Sequence, residues 1–354
     1  MRPVLNHFEY MEAALRLAEK GFPKALPNPL VGSVIVHNHQ VVATGFHQKY
    51  GSHHAEVNAI KAMPQGLNTA DCTLYVTLEP CAHQGKTPPC ADLIIAKGFK
   101  NVVVGSLDPN PLVAGKGIFK LKEAGIEVIT GVLEDEVKKQ NPRFFTYHEK
   151  KRPYFILKWA QTADGFISRW PVPSNRDENR ISGPEANHFV HELRASNMAI
   201  MVGKNTVLSD NPQLTVRHTQ GGNPVRVIVD KNLEVPRNMH VFDDSAPTIV
   251  LNALHDEVES EFLRFVKLDF SNSAILHLGT KLHELGIQSV LVEGGAILLE
   301  SLLKKGLWDE VIVIENPDLR FKNGIKAPSF ELKSPKKRLG KDNLYRFFNT
   351  GGLY

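Results

Sequence analysis

Along the N-terminal half of the chain, apolar positions switch repeatedly between a helical period and strand-like runs. Phe8, Met11, Leu15 and Ala18 recur at helical spacing, and Gly21 closes that segment. Val31–Val36 and Val41–Thr44 read as two strands joined across His37-Asn38-His39-Gln40, a hairpin. A helix is predicted from His54 through Met63, a strand over Thr73–Leu78 and a helix over Cys90–Lys97; Asn101–Gly105, Lys116–Ala124 and Ile126–Ile129 continue the alternation. Alternation of this kind predicts a sheet covered by helices on both faces, an α/β/α sandwich. It also sets Cys81 and Cys90 beyond a strand's C-terminal end, where ligands gather in open α/β sheets.

From about Leu133 to Arg152 the pattern turns charged and aperiodic, which predicts a terminal helix followed by a linker and a boundary near Lys151. Two domains follow, 1–150 and 151–354. The second opens on the strand Tyr154–Ala160, with Thr162–Ser168 turning back from it. In Ile181-Ser182-Gly183-Pro184-Glu185, Ser182 reads as an N-cap, Pro184 as a first-turn residue and Glu185 as the capping-box partner of a helix to about Arg194. Met198–Val202 is the next strand, Gly203–Pro212 a polar loop leading to Leu214–Arg217, and Val225–Asp230, Thr248–Leu251 and Ser289–Glu293 are further strands. After the last of these, Gly294-Gly295-Ala296 leads into a helix over Ile297–Lys305, the setting in which a helix N-terminus receives a phosphate.

Composition adds bounds. The 354 residues are too many for one ordinary core, and 42% hydrophobic with 23% charged residues is the balance of a globular protein. The formal charge of +4 is spread out; its densest cluster, Lys333–Arg338, reads as a solvated loop, and with 8% aromatics and no basic-aromatic stripe a nucleic-acid partner is not expected. No apolar run approaches the ~20 residues of a membrane span. Met1–Tyr10 lacks the apolar core of a signal peptide, so the expected location is the cytoplasm, with no membrane partner.

The chemistry concentrates in His53-His54-Ala55-Glu56 and in Pro80-Cys81 through Pro89-Cys90. One imidazole and two thiolates suit Zn²⁺, and three protein ligands leave the fourth tetrahedral position open. His54, Cys81 and Cys90 are the expected ligands. Zinc lowers the pKa of bound water from ~15.7 toward ~7, and Glu56, two residues after His54, is placed to carry the proton to a leaving group. Two plainer readings compete: a Cys81–Cys90 disulfide, disfavoured with three cysteines and no secretory signal, and a structural zinc with His83 as an extra ligand, which leaves Glu56 without a task.

The order His-x-Glu, Pro-Cys, Cys is that of the zinc deaminases of nucleobases, with eight residues between the cysteines where two are usual. With that insertion, Thr77-Leu78-Glu79-Pro80-Cys81 running through Thr87-Pro88-Pro89-Cys90 resembles the bifunctional pyrimidine deaminase/reductase family of riboflavin biosynthesis. The resemblance implies a cytidine-deaminase-like N-terminal fold with Asn28, His47, His83, Lys86, Asp108 and Asn110 lining the pocket, Lys86 as a cation for a substrate phosphate.

The C-terminal half lacks Gly-x-Gly-x-x-Gly, so a Rossmann site is not supported; it resembles the reductase half of the same family, with a dihydrofolate-reductase-like α/β fold that binds NADPH without that fingerprint. This implies NADPH contacts at Ala160, Thr206, Asp210, Gly294 and Gly295, and substrate contacts at Lys158, Arg194, Leu214, Arg217 and Glu293, with Arg194 and Arg217 as phosphate clamps. Arg180 (for Trp), Asn197 (for Asp) and Phe321–Lys326 (for a Gly-rich loop) depart from the family pattern, and the resemblance spans about Glu9–Glu315, the remainder adding little. The expected function is zinc-dependent deamination of a phosphoribosylated diaminopyrimidinone, then NADPH-dependent reduction of ribosyl to ribityl, in a homo-oligomer. Two rivals stay open: a nucleoside or tRNA deaminase with a non-redox C-terminal binding domain, and a metal-stabilised scaffold.

Overall fold

The computed structural model describes residues 6–82, 88–111, 113–171, 173, 176–271, 274–333 and 337–349. The chain divides into two compact units, Met1–Lys150 and Lys151–Tyr354.

In the first unit the elements are α1 (His7–Glu19), β1 (Gly32–His37), β2 (Gln40–Phe46), α2 (Ala55–Lys61), β3 (Cys72–Leu78), α3 (Cys90–Ala96), β4 (Asn101–Ser106), α4 (Lys116–Glu123), β5 (Glu127–Thr130), α5 (Glu134–Gln140) and α6 (Pro142–Lys150). Among the described residues they form one sheet ordered β2-β1-β3-β4-β5, antiparallel on the β1 side and parallel from β3 to β5. β3 is buried at every position, which explains its unbroken Cys-Thr-Leu-Tyr-Val-Thr-Leu run. Helices α2, α3 and α4 cover one face through Ala59, Ile60, Ala91, Ile94 and Leu121. Met11, Leu15, Val137, Phe144 and Phe145 bring α1, α5 and α6 onto the other. The α/β/α sandwich is therefore present. At the predicted hairpin both Asn38 and His39 have positive φ, the geometry of a tight two-residue turn.

Several local expectations are corrected. Phe8 does not share the buried face of α1 but is 61% exposed, and Ala14 takes its place beside Met11. α2 stops at Lys61, before Met63, because Pro64 disfavours helical backbone at the residue before it. The charged stretch after Leu133 is two helices, not a helix and a linker: Phe144, Phe145 and Thr146 of α6 are buried, and Asn141 between α5 and α6 holds Leu30 by two hydrogen bonds, 2.7 and 3.0 Å. Those bonds fix the turn that carries Asn28.

The second unit comprises β6 (Tyr154–Thr162), β7 (Phe166–Arg169), α7 (Pro184–Ala195), β8 (Ala199–Gly203), α8 (Lys204–Asp210), β9 (Val225–Val229), β10 (Thr248–Asn252), β11 (Glu257–Val258), β12 (Leu263–Lys267), α9 (Ala274–Glu284), β13 (Ser289–Gly294), α10 (Ala296–Lys304), β14 (Glu310–Asn316), β15 (Gly324–Lys326), β16 (Lys337–Leu339) and β17 (Asp342–Phe348). Its large sheet runs β11-β12-β10-β9-β8-β13-β6-β14-β17-β16, with β12 through β14 parallel and the edge strands antiparallel. α9 and α10 pack on one face, α7 and α8 on the other. Strand β7 leaves β6 and pairs with β15 instead.

Here too the structure departs from expectation. The polar loop after Gly203 is the helix α8, anchored by buried Val207. Ser182 does not cap α7; Gly183 occupies the cap, and its N–H donates to Asp342 Oδ2 at 2.7 Å. The C-terminal residues thus carry weight: Asp342 anchors the residue at which α7 begins, and β17 pairs with β14 from Asn343 to Phe348. Within the basic cluster, Lys337 and Arg338 lie in the edge strand β16, while Ser334, Pro335 and Lys336 fall outside the described residues. Among the described residues no helix is long and apolar enough to cross a membrane.

Candidate active sites

His54 is the N-cap of α2, with extended backbone (ψ 166°), while Cys90 is the first residue of α3 and Cys81 follows the end of β3. Three elements therefore converge. His54 Nδ1 lies 3.6 Å from Cys81 Sγ and 3.3 Å from Cys90 Sγ, and the three donor atoms all lie within 4.8 Å of one another. Tetrahedral zinc with ordinary bond lengths sets ligand atoms about 3.5–3.8 Å apart. The donor set fits the ion in type and spacing. All three cysteines are free, so the disulfide reading is set aside.

Electrostatics agree. The Cys90 thiol at its side, together with His54, holds the Cys81 thiol low, at about 4, and the same pairing pushes Cys90 up. Glu56 sits in the first turn of α2, 3% exposed, and burial raises its carboxyl while the His54 imidazole opposes that. A buried carboxyl in hydrogen-bonding contact with a ligand thiol is placed to hold and pass a proton.

His54, Cys81 and Glu56 line a cavity of about 310 Å³, together with the predicted Asn28, His47, Asp108 and Asn110, while Cys90 lies buried behind it. His47 Nδ1 must donate to the His53 carbonyl at 3.1 Å, which leaves Nε2 to accept from Asn28 Nδ2 at 3.1 Å. Burial lowers the His47 pKa and keeps that tautomer neutral. Asp108 is pushed up to about 6, by burial first and then by the Glu79 and Cys81 charges, against the Asn110 N–H. Tyr50, Ser52, Glu79, Val113 and Phe144 also line the cavity without having been singled out, although Tyr50-Gly51-Ser52 adjoins the His53-His54 pair. His83 and Lys86 lie outside the described residues.

In the second unit Lys158 of β6, Arg194 of α7 and Glu293 of β13 form a largely buried charge cluster. Arg194 donates from Nε and Nη2 to the two Glu293 oxygens at 2.7 and 2.9 Å, and from Nη1 to the Thr215 carbonyl at 3.1 Å. Three of its five N–H groups are thus engaged within the protein. Arg217 is exposed, with Nη1 on Gln213 and Thr215 at 2.9 Å. The Leu214 side chain is buried in the core cluster that includes Ile200 and Val207.

Thr206 of α8 faces the Gly294-Gly295 step: a Cβ on either glycine would come within 3.2 or 3.1 Å of Thr206 Oγ1. That side-chain-free step leads into the start of α10, a setting that admits a phosphate, while Ala160 is half-buried on β6 and Asp210 is exposed at the end of α8. Arg180 is exposed, 4.0 Å from Asp177, and Asn197 binds the Leu193 carbonyl at 2.7 Å, a structural task at the end of α7. Phe321 and Lys322 donate their N–H groups to Asp164 in place of a Gly-rich loop.

Comparison with known proteins decides the family. Residues 5–106 match the cytidine and deoxycytidylate deaminase zinc-binding region, and residues 153–319 match the RibD C-terminal domain. The riboflavin biosynthesis protein RibD of Aquifex aeolicus is 43% identical over 350 residues, 94% of this chain and 96% of that one. The chain belongs to the RibD family. A solved Thermotoga maritima diaminohydroxyphosphoribosylaminopyrimidine deaminase/5-amino-6-(5-phosphoribosylamino)uracil reductase is 38% identical with a TM-score of 0.79, covering 96% of this chain and 97% of its own. Acinetobacter baumannii RibD is 33% identical with a TM-score of 0.81, covering 97% and 98%. The fold is that of the RibD proteins, a cytidine-deaminase-like domain followed by a dihydrofolate-reductase-like one. As a RibD protein the chain is a bifunctional deaminase and reductase of riboflavin biosynthesis that uses zinc and NADPH, which sets aside both rivals.

Proposed function

We propose that unit 1–150 deaminates 2,5-diamino-6-(5-phosphoribosylamino)pyrimidin-4(3H)-one and that unit 151–354 reduces the ribosyl chain of the product, 5-amino-6-(5-phosphoribosylamino)uracil, to ribityl. The observation that carries this is the His54–Cys81–Cys90 cluster at a cavity shared with buried Glu56. Zinc held by those three residues supplies an activated water for attack at the amine-bearing ring carbon. Glu56 takes the proton released at the attacking oxygen and delivers it to the departing amine, which leaves as ammonia. Asn28, His47, His83, Asp108 and Asn110 hold the base and sugar, and Lys86 supplies a cation for the substrate phosphate.

For the second step NADPH supplies hydride to the sugar carbonyl carbon. Thr206, Gly294 and Gly295 hold the cofactor's backbone, with Ala160 and Asp210 at its flanks. Lys158, kept in the apolar interior where burial lowers its pKa, is the cation beside Glu293, and Arg217 is the exposed guanidinium for the substrate phosphate. Asp210 either orients the cofactor or moves a proton. The working protein is a cytoplasmic homo-oligomer with small-molecule substrates and no nucleic-acid or membrane partner.

The test follows NADPH absorbance with zinc-loaded protein and the diaminopyrimidinone as sole substrate. Substrate-dependent NADPH loss that disappears in Glu56→Gln and returns when the deaminated product is supplied establishes both activities and their order. Ammonia release with NADPH untouched, even with that product present, would overturn the reductase assignment.

A further inference from the structure

Glu79 stands two residues before the ligand Cys81, at the end of β3, where its own N–H donates to the Ser106 carbonyl at the end of β4. Its side chain is 4% exposed and belongs to none of the roles assigned above. Among the described residues four backbone N–H groups donate to it. Oε2 accepts from Asp108 at 3.2 Å and Gly115 at 2.9 Å; Oε1 accepts from Gly117 at 2.9 Å and Ile118 at 3.3 Å.

The donors come from both ends of the segment 108–118, so one carboxylate closes that segment like a clasp. Asp108, Asn110 and Val113, which lie within that segment, line the same cavity as His54 and Cys81. The junction is tight from the other side as well: a Cβ on Gly117 would fall 1.9 Å from the Pro80 carbonyl oxygen, so the first turn of α4 rests on the peptide that leads into Cys81. A carboxylate matches this task because it is acceptor-only, with about four lone-pair sites for four donors. The donors' orientation and the start of α4 offset its charge.

We infer that Glu79 is a positioning residue of the deamination: it fixes the separation between the Cys81 ligand and the Asp108–Asn110 wall, so that the pyrimidine meets the metal side in one orientation. This rests on the assignment of the pyrimidine to this cavity. Glu79→Gln keeps the shape but turns one oxygen into an NH₂ group, which confronts two N–H donors with further donors. Glu79→Asp keeps the acceptors but shortens the reach by one methylene, so it cannot serve both ends of the segment.

The experiment uses the full chain, zinc-loaded. Steady-state deamination is measured with the diaminopyrimidinone, and binding of 5-amino-6-(5-phosphoribosylamino)uracil by calorimetry to the deaminase cavity with the reductase site saturated by that compound's reduced form. Zinc content and NADPH oxidation serve as controls. Glu79→Gln is expected to raise KM and the product's Kd at least tenfold with zinc content and NADPH oxidation unchanged, and Glu79→Asp to fall between it and the parent. A loss of kcat proportional to lost zinc, with KM and Kd unchanged, would make Glu79 a purely structural brace and overturn the inference. If Glu79→Gln fails to retain zinc, Glu79→Asp decides by the same two readings. Asp108→Ala separates the premise from the inference: parental product affinity in that variant removes the pyrimidine from this cavity, whereas weakened binding there with normal binding in both Glu79 variants removes only the clasp.

Discussion

Arg194 and Glu293 meet through two parallel hydrogen bonds, 2.7 and 2.9 Å, in a setting where both side chains are largely buried. Burial alone pushes the Glu293 carboxyl up; the Arg194 and Lys158 charges more than reverse this and hold it at about 2. Removing one member strands the other. Arg194→Met is therefore expected to cost the reductase unit about 3–5 kcal/mol, read as a lower denaturant midpoint for that unit. NADPH oxidation falls with it while ammonia release stays. An unchanged midpoint would mean that the fork contributes nothing to stability.

Glu56→Gln isolates the proton transfer. The amide keeps the volume of the buried side chain and takes no part in the His54–Cys81–Cys90 donor set, so zinc content stays at the parental level. It cannot accept and return a proton, and ammonia release is expected to fall by about 10²–10⁴-fold. Oxidation of NADPH with the deaminated product supplied directly stays at the parental rate. Near-normal deamination would end the shuttle assignment.

What could be read from the sequence follows how local each cause is. The metal set was legible because His54, Cys81 and Cys90 each sit at an element boundary that the apolar pattern marks. The Glu79 clasp was not, since its donors lie 29 to 39 residues away and are backbone groups that carry no residue signature. Helix α8 looked like a loop because only Val207 of its seven residues is buried, too few to print a period. The engagement of Arg194 by Glu293 spans 99 residues, so it is not legible in the sequence.

The cap of α7 offers a matched pair of variants. Asp342 Oδ2 accepts the Gly183 N–H at 2.7 Å from the far end of the chain, whereas Ser182 makes no side-chain cap bond. Asp342→Ala leaves the buried Gly183 N–H without its acceptor and is expected to lower the stability of the reductase unit by about 1–2 kcal/mol, and Ser182→Ala to leave it within error in the same denaturant titration. The reverse ranking would restore Ser182 as the cap and reduce the C-terminal strand to an edge without that function.

His191 gives the second unit an acid-sensitive element whose sign can be worked out. Its ring is 1% exposed, Nδ1 accepts the Arg217 N–H at 3.1 Å, and His218 lies edge-on at 4.5 Å. Burial lowers its pKa to about 4, and the Arg194, Arg217 and His218 charges act in the same direction against Glu293. An unfolded chain binds the proton near 6.5, so between about 6.5 and 4 the unfolded state holds more protons and stability falls as pH drops; above 6.5 the contribution is fully present. Glu293 adds a loss of the same sign only lower, from 4.5 toward 2, which leaves the upper window to the histidine. His191→Asn sets an amide oxygen where Nδ1 accepts but cannot titrate. Its unfolding midpoint is expected to match the parent near pH 7 and to stay flatter down to pH 4.5, where the parent declines; an equally steep decline in the variant would assign the acid sensitivity to another group.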